Sequence, residues 1–184
     1  MSDIPEHLRA MYRRIDTAPL TDAPAPWRRL GDYAIGGLTD IGFADDSDIL
    51  VVLSGQGRGL FDCTTGERLD RDHDAAFPHD ECNLTTPGFG TVEGQVIRTA
   101  GLAGGALPLG TVDGWCVHRF TFHWPEEILL LTPPGHWIYG DVPSMGSDFY
   151  RLGTESEVRA FGFSPSGRSL VIATGSDLAI LTKG

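Results

Sequence analysis

The chain has 184 residues, of which 41% are hydrophobic and 21% charged, a composition typical of one globular domain rather than a disordered chain. Its formal net charge of −11 would repel nucleic acid, and the apolar run at residues 128–131 is far too short to cross a membrane. The 24 glycines and 12 prolines predict frequent turns and no long helix.

The first 30 residues predict a short helix and a connector. Residues 3–16 combine Asp3 as an N-cap, Glu6 three positions later, and apolar side chains on one face at helical spacing. The proline-rich connector, residues 18–30, is too short to separate two domains, so residues 1–184 are predicted to form one domain. The chain starts without a secretory signal and has three widely spaced cysteines, which predicts a cytoplasmic protein.

Residues 31–184 are predicted to form a body of short β-strands with an internal repeat. Gly-Phe, a polar turn, four apolar residues, a glycine turn and another apolar strand occur at residues 41–63 and again at 161–183. Residues 120–140 form a weaker third copy. Apolar residues at successive positions indicate strands buried on both faces, as in stacked sheets.

The spacing of the copies predicts about four units of roughly 40 residues. Phe43, Phe122 and Phe163 mark the three copies, and we expect them at equivalent buried positions. The larger gap, between Phe43 and Phe122, leaves room for a degenerate unit between about 80 and 118. Its candidate strands are residues 94–100 and 114–119.

The repeat resembles the blade of a WD-repeat β-propeller. The resemblance rests on the motifs PheSerProSerGly at 163–167 and AlaThrGlySerAsp at 173–177. Unlike the blades of that family, no unit ends in a Trp-Asp dipeptide. The resemblance covers residues 40–65, 120–140 and 160–183 and implies an all-β, small β-propeller-like stack that serves as an interaction platform. An open or sandwich-like β domain built from the same units is the alternative.

Two segments have some of the residues of a metal site but lack others that such a site requires. The acidic run at residues 70–81 has oxygen ligands at the spacing of a calcium loop, but Ala75 stands where that loop needs glycine. Cys116 and His118 alternate on one strand face together with two phenylalanines, which favours core packing over zinc. We therefore expect neither a metal nor a cofactor.

The acidic charge is concentrated in one part of the chain. Residues 40–81 hold eleven acidic residues against three arginines. Asp45, Asp46 and Asp48 crowd the turn after the first marker phenylalanine, whereas the matching turn at residues 164–167 has no acid. The fold does not demand these charges, so they predict either a solubilising surface or a site for a basic protein partner.

Two tryptophans are further candidates for a binding surface. Trp124 and Trp137 each lie beside a predicted turn, in HisTrpProGlu (123–126) and HisTrpIleTyr (136–139). Aromatic side chains combined with acids are common in protein interfaces. Packing between neighbouring units is the other interpretation, above all for Trp137.

Together these patterns predict a non-catalytic protein-binding module. The near-absence of lysine, with Lys183 the single one, is typical of a GC-rich bacterial genome. A compact acidic protein of a bacterial cytoplasm fits an immunity-type protein that neutralises a basic toxin. The alternative is a small hydrolase or transferase with its site at one end of the β units, although no residue is assigned as catalytic.

Overall fold

A computed structural model of the protein describes residues 5–139 and 144–184. The described residues are mostly β, with 48% of them in strands and one short helix among them, so the all-β prediction is confirmed. None of the described helices is long and apolar enough to cross a membrane.

The helix α1 (Glu6–Asp16) lies where the sequence predicts one, while the predicted cap Asp3 lies outside the described residues. Ile15 is fully buried, as its place on the apolar face predicts. The connector is shorter than predicted, because the first strand already begins at Trp27. That strand pairs with the last strand of the chain and so holds the two ends of the chain together.

Fourteen strands follow the helix in the part of the chain that the structure describes. They are β1 (Trp27–Ala34), β2 (Leu38–Phe43), β3 (Ile49–Ser54), β4 (Gly57–Asp62), β5 (Glu67–Asp72), β6 (Thr85–Pro87), β7 (Val96–Arg98), β8 (Ala100–Gly101), β9 (Cys116–His123), β10 (Glu126–Thr132), β11 (Tyr150–Ser156), β12 (Ala160–Phe163), β13 (Ser169–Ala173) and β14 (Asp177–Lys183), with a 3₁₀ turn at Gly90–Val92.

These strands form three sheets and a ribbon. Sheet I has the order β5-β4-β3-β2-β8, sheet II has the order β1-β14-β13-β12, and sheet III has the order β11-β10-β9. Strands β6 and β7 form a separate two-stranded ribbon. All pairs within the sheets are antiparallel, as expected for strands joined by short turns.

The sheets pack face to face through separate hydrophobic clusters. In β3, Leu50 and Val52 point into the cluster shared with sheet II, while Val51 and Leu53 point towards the ribbon. The central strands of sheets II and III alternate in the same way, and sheet III packs on sheet II with one face and on α1 with the other. The four-residue apolar runs are thus buried on both faces, as predicted.

Two of the three copies are equivalent. Phe43 ends β2 and pairs with Leu50, and Phe163 ends β12 and pairs with Leu170, so each phenylalanine closes the same kind of hairpin. Both rings are buried. This part of the repeat prediction is confirmed.

Phe122 does not share that position, and this part of the prediction is wrong. Its hairpin turns through Trp124 and Pro125, between the paired residues His123 and Glu126, and has no long polar turn. Phe122 is only half-buried and packs beside α1. An aromatic residue before an apolar run was therefore too weak a marker to fix the hairpin geometry.

The predicted fourth unit does not form either. Residues 96–98 pair with β6 in the ribbon, whereas residues 116–119 belong to sheet III. The segment between them lacks a four-residue apolar run from which a central strand is built. Instead its backbone bonds the edges of two sheets, with Pro108 accepting from the Phe163 N–H at 2.8 Å. In the described residues the sheets remain separate and close no ring.

Candidate functional site

The turn between β2 and β3 carries the predicted acidic residues. Asp45 and Asp46 are exposed, and neither carboxylate has a hydrogen-bond or ion-pair partner among the described residues. The backbone N–H of Asp45 donates to Gln95 Oε1 at 3.2 Å. Asp46 adopts a left-handed conformation with φ of 47°, which aspartate tolerates better than most residues. This turn therefore presents two free negative charges to solvent.

Asp48, in the same turn, has a different role. Its Oδ1 accepts from Ser169 Oγ at 2.7 Å and from Ser166 Oγ at 2.9 Å, and its Oδ2 accepts from Ser166 Oγ at 2.8 Å. Both serines belong to the matching hairpin of sheet II. Asp48 therefore ties the two equivalent hairpins together, and its carboxylate is occupied within the protein.

The acidic charge extends along the same end of sheet I. Asp62 pairs with Ile49 on one side and with Glu67 on the other, so Glu67 lies at the end of the sheet that carries the acidic turn. We call Asp45, Asp46, Asp62 and Glu67 the acidic end. Of the eleven acids in residues 40–81, Asp72 alone has an arginine or lysine partner in the described chain. Most of this charge is therefore uncompensated.

Local hydrogen bonds lower the pKa of two of these acids. Burial alone would raise the pKa of Asp62, but hydrogen bonds from Thr64 and Thr65 outweigh it and lower that pKa. The pKa of Asp72 is lowered by a hydrogen bond from the Asp74 backbone and then by Arg58. Both groups carry their charge at neutral pH.

A row of aromatic rings lies on the other side of the molecule, in sheet III. Ring centroids are 4.4 Å apart for Tyr12 and Phe122, and 5.5 Å apart for Phe122 and Phe120. The row continues from Phe120 to Tyr139 at 5.9 Å and from Tyr139 to Trp137 at 5.1 Å. We call these five residues the aromatic row. It combines α1, β9 and the segment after β10.

The two predicted tryptophans differ in their surroundings. Trp137 is 42% exposed and ends the aromatic row beside Tyr139, so it packs within the layer of sheet III rather than between sheets. Trp124 is 85% exposed at the tip of the β9–β10 hairpin and touches no other ring in the described residues. Neither joins Asp45 and Asp46, because sheet II lies between sheets I and III.

A neutral polar pair lies beside the aromatic row. His118 Nδ1 is 3.1 Å from the Tyr139 hydroxyl. Burial lowers the pKa of His118, so the imidazole is uncharged at neutral pH, and burial followed by the Cys116 thiol raises the pKa of Tyr139. In the described part of the chain no three His, Cys, Asp or Glu side chains are grouped to hold a metal ion.

The histidine contacts do not assemble a nucleophile with its base. His123 lies 3.3 Å from Asp16 and His136 lies 3.6 Å from Asp148, but neither imidazole bonds a serine, threonine or cysteine among the described residues. The Nε2 atom of His79 lies 3.3 Å from the Thr99 hydroxyl. Among the described residues, no carboxylate is hydrogen-bonded to the other ring nitrogen of His79. The geometry therefore favours no particular catalytic residue.

Sequence reasoning missed Tyr12 and Tyr139 as parts of a surface. The alternation of Cys116, His118, Phe120 and Phe122 on one strand face was visible in the sequence and is found in β9. What covers that face depends on where α1 and the segment after β10 fold back, and no local pattern encodes this.

Comparisons with models of known protein families and with curated proteins found no match for this chain.

Proposed function

We propose that the protein is a non-catalytic protein-binding module whose acidic end contacts a basic protein partner. The observation that carries the proposal is the pair Asp45 and Asp46. These carboxylates lie side by side without a neutralising partner, although their repulsion costs roughly 1 kcal/mol in exposed positions. The equivalent hairpin of sheet II turns through SerProSerGly and bears no acid, so folding does not require them.

The uncompensated charge supports a partner of opposite sign. Complementary charge speeds the encounter of two proteins and excludes partners with like charge. The acidic end belongs to hairpin turns and an edge strand of sheet I, which neighbouring elements leave accessible. Asp48 is excluded from this surface because Ser166 and Ser169 occupy its oxygens.

The repeated hairpins support a propeller-like platform of the WD-repeat type. Phe43 and Phe163 close equivalent hairpins, and each sheet packs face to face on the next, as blades do. We place this platform in a bacterial cytoplasm, where an immunity-type protein that neutralises a basic toxin would need such an acidic surface. Blocking a basic enzyme by occupying its charged surface requires no catalytic residue.

The acidic end can be tested with a double substitution that removes two negative charges. Asp45→Asn with Asp46→Asn keeps the side-chain size, and asparagine tolerates the left-handed conformation at position 46. The matched control is Glu6→Gln with Asp22→Asn, which removes the same charge from α1 and the connector, at the opposite end of the stack. Decalysine peptide is the probe, and association is followed by stopped-flow fluorescence at low and high salt.

We expect the Asp45/Asp46 variant to associate several-fold more slowly than the control at low salt, with the difference shrinking as salt screens the charges. Equal rates for the two double variants at low salt would show that only net charge matters and would refute the acidic end as the contact surface.

A further inference from the structure

A cavity of about 390 Å³ lies beside the ribbon of β6 and β7. One wall is the segment at residues 78–80, and the other walls are β6 and Val96. We call it the ribbon cavity. Its volume lies at the lower end of the range for ligand pockets, which suits a single side chain or a molecule of that size.

Hydrogen bonds fix the wall at residues 78–80 against β6. The backbone N–H and carbonyl groups of Asp80 and Thr85 bond each other at 2.8 and 3.1 Å, as a further antiparallel strand would. The hydroxyl of the buried Thr86 donates to the Pro78 carbonyl at 2.8 Å. The walls are therefore held in place by the protein itself, and a ligand would not have to order them.

Part of the lining is apolar. Thr86 and Ile97 are paired and buried, so the next pair, Pro87 and Val96, faces away from sheet I. Val96 is 64% exposed, and Pro78 adds a third apolar side chain. An aliphatic chain laid against this surface would be removed from water together with it, which favours binding.

Asp80 supplies a negative charge at the cavity. Its Oδ1 accepts from the backbone N–H groups of Cys82 and Asn83 at 3.0 and 2.9 Å, and its Oδ2 accepts from Asn83 Nδ2 at 2.7 Å. These bonds, that of the Asn83 side chain first, lower the pKa of Asp80. A carboxylate has about four acceptor positions, so about one is left free. One free position suits a single donor of an ammonium group better than the paired donors of a guanidinium group.

The surroundings of the cavity are acidic. Residues 40–98, which contain β2 to β7, hold twelve acids and four arginines, and residues 99–112 hold no charged residue. Sheet II, with its arginines and Lys183, lies on the opposite face of sheet I. Arg98 pairs with Thr85 in the ribbon but does not line the cavity. This field favours a cationic ligand.

The acidic turn lies next to the ribbon cavity. The Asp45 N–H donates to Gln95 Oε1 at 3.2 Å, and Gln95 immediately precedes Val96. A partner that reaches the cavity therefore passes close to the charges of Asp45 and Asp46.

We propose that the ribbon cavity binds a lysine side chain of the basic partner, with the aliphatic chain against Pro78, Pro87 and Val96 and the ammonium group at Asp80. The proposal rests on the proposed function for the existence of a basic protein partner. The cavity itself can be tested without that partner, because a single lysine derivative contains both parts of the ligand.

The probe is N-acetyl-lysine N-methylamide, and NMR follows the backbone amides of Thr85 and Val96 during its titration. The norleucine derivative has the same chain without the charge, and the 2,4-diaminobutyric acid derivative has the charge on a chain two methylenes shorter. We expect the lysine derivative to bind at least about fivefold more tightly than either, because it alone reaches both the apolar wall and the carboxylate. The arginine derivative should bind no more tightly than the lysine derivative.

Asp80→Asn and Glu81→Gln form a matched pair of variants. Asparagine keeps an acceptor for the N–H groups of Cys82 and Asn83, whereas Glu81 is an exposed neighbour outside the cavity lining. We expect binding of the lysine derivative to weaken by about three- to fivefold in Asp80→Asn and by less than about twofold in Glu81→Gln. Arg98→Gln removes the cation in the neighbouring strand, so its binding should be equal or tighter. If Asp80→Asn does not fold, the comparison of the lysine and norleucine derivatives in the wild-type protein decides the matter.

Four outcomes would overturn the proposal. They are equal binding of the lysine and norleucine derivatives, equal losses in Asp80→Asn and Glu81→Gln, tighter binding of the arginine derivative, and weaker binding in Arg98→Gln, which would assign the cavity to a ligand that also carries a negative charge. Shifts of the two amides with protein concentration alone would assign it to a second copy of the chain and overturn it as well.

The two proposals fail separately. Decalysine association with the Asp45→Asn, Asp46→Asn variant tests the acidic end, whereas the small lysine derivative tests the ribbon cavity.

Discussion

Replacing Asp48 tests the link between the two equivalent hairpins. In Asp48→Ala, Ser166 and Ser169 lose an ionised acceptor, and each such hydrogen bond contributes about 1.5–3 kcal/mol. The loss is partly offset because the fully buried Ser169 hydroxyl keeps the Cys63 carbonyl as a second acceptor at 3.2 Å. Since Asp48 itself is half-buried, we expect the free energy of unfolding to fall by about 2–3 kcal/mol.

The assay is urea unfolding at neutral pH with Asp45→Ala as the matched control. Asp45 is exposed in the same turn and its side chain has no hydrogen bond or ion pair to lose among the described residues, so its replacement should change stability by less than about 0.5 kcal/mol. For a chain of this size the loss in Asp48→Ala corresponds to a melting temperature lower by about 4–12 °C.

A double-mutant cycle with Ser169→Ala identifies the source of the loss. We expect a coupling energy of about 1–2 kcal/mol between Asp48 and Ser169, because each single variant already breaks their shared hydrogen bond. If Asp48→Ala unfolds at the same urea concentration as Asp45→Ala, the bridge between the hairpins contributes nothing to stability.

Two further predictions concern the core and the thiols. Phe163→Ala should lower the free energy of unfolding by about 3–5 kcal/mol because the Phe163 ring is fully buried. Phe122→Ala should lower it clearly less, because the Phe122 ring is only half-buried beside α1. Equal losses for the two variants in urea unfolding would contradict this packing. In thiol titration with an aromatic disulfide, the exposed Cys82 should react at once. Cys116, whose pKa is raised by burial, should react more slowly. Cys63 should react only on unfolding, because burial first and then Asp48 and Asp62 raise its pKa; rapid labelling of Cys63 in the native protein would contradict its burial.

The sequence predicted the local elements better than their assembly. Four apolar residues in a row at 49–52 and 170–173 predicted strands covered on both faces, and both lie between packed layers. This inference succeeds because burial of both faces is a direct consequence of apolar side chains at successive positions. Phe122 was misplaced because one aromatic residue does not fix turn length, which decides the hairpin.

The candidate site was predicted only where a single turn contains it. Asp45 and Asp46 are exposed because turn residues between two buried strands face solvent. The role of Asp48 was not predictable, since its partners Ser166 and Ser169 are more than a hundred residues away in the chain. The order of the strands in each sheet is likewise not specified by hydrophobic periodicity.

The stacking of the sheets leaves few surfaces of the described chain accessible. Sheet II is covered on both faces by its neighbours, the outer face of sheet III is covered by α1, and the outer face of sheet I is covered by the ribbon and the 3₁₀ turn. No large sheet face of the described chain is therefore left as a flat binding platform. What remains accessible are hairpin turns and strand edges, and the turn between β2 and β3 is the place where Asp45 and Asp46 expose their carboxylates.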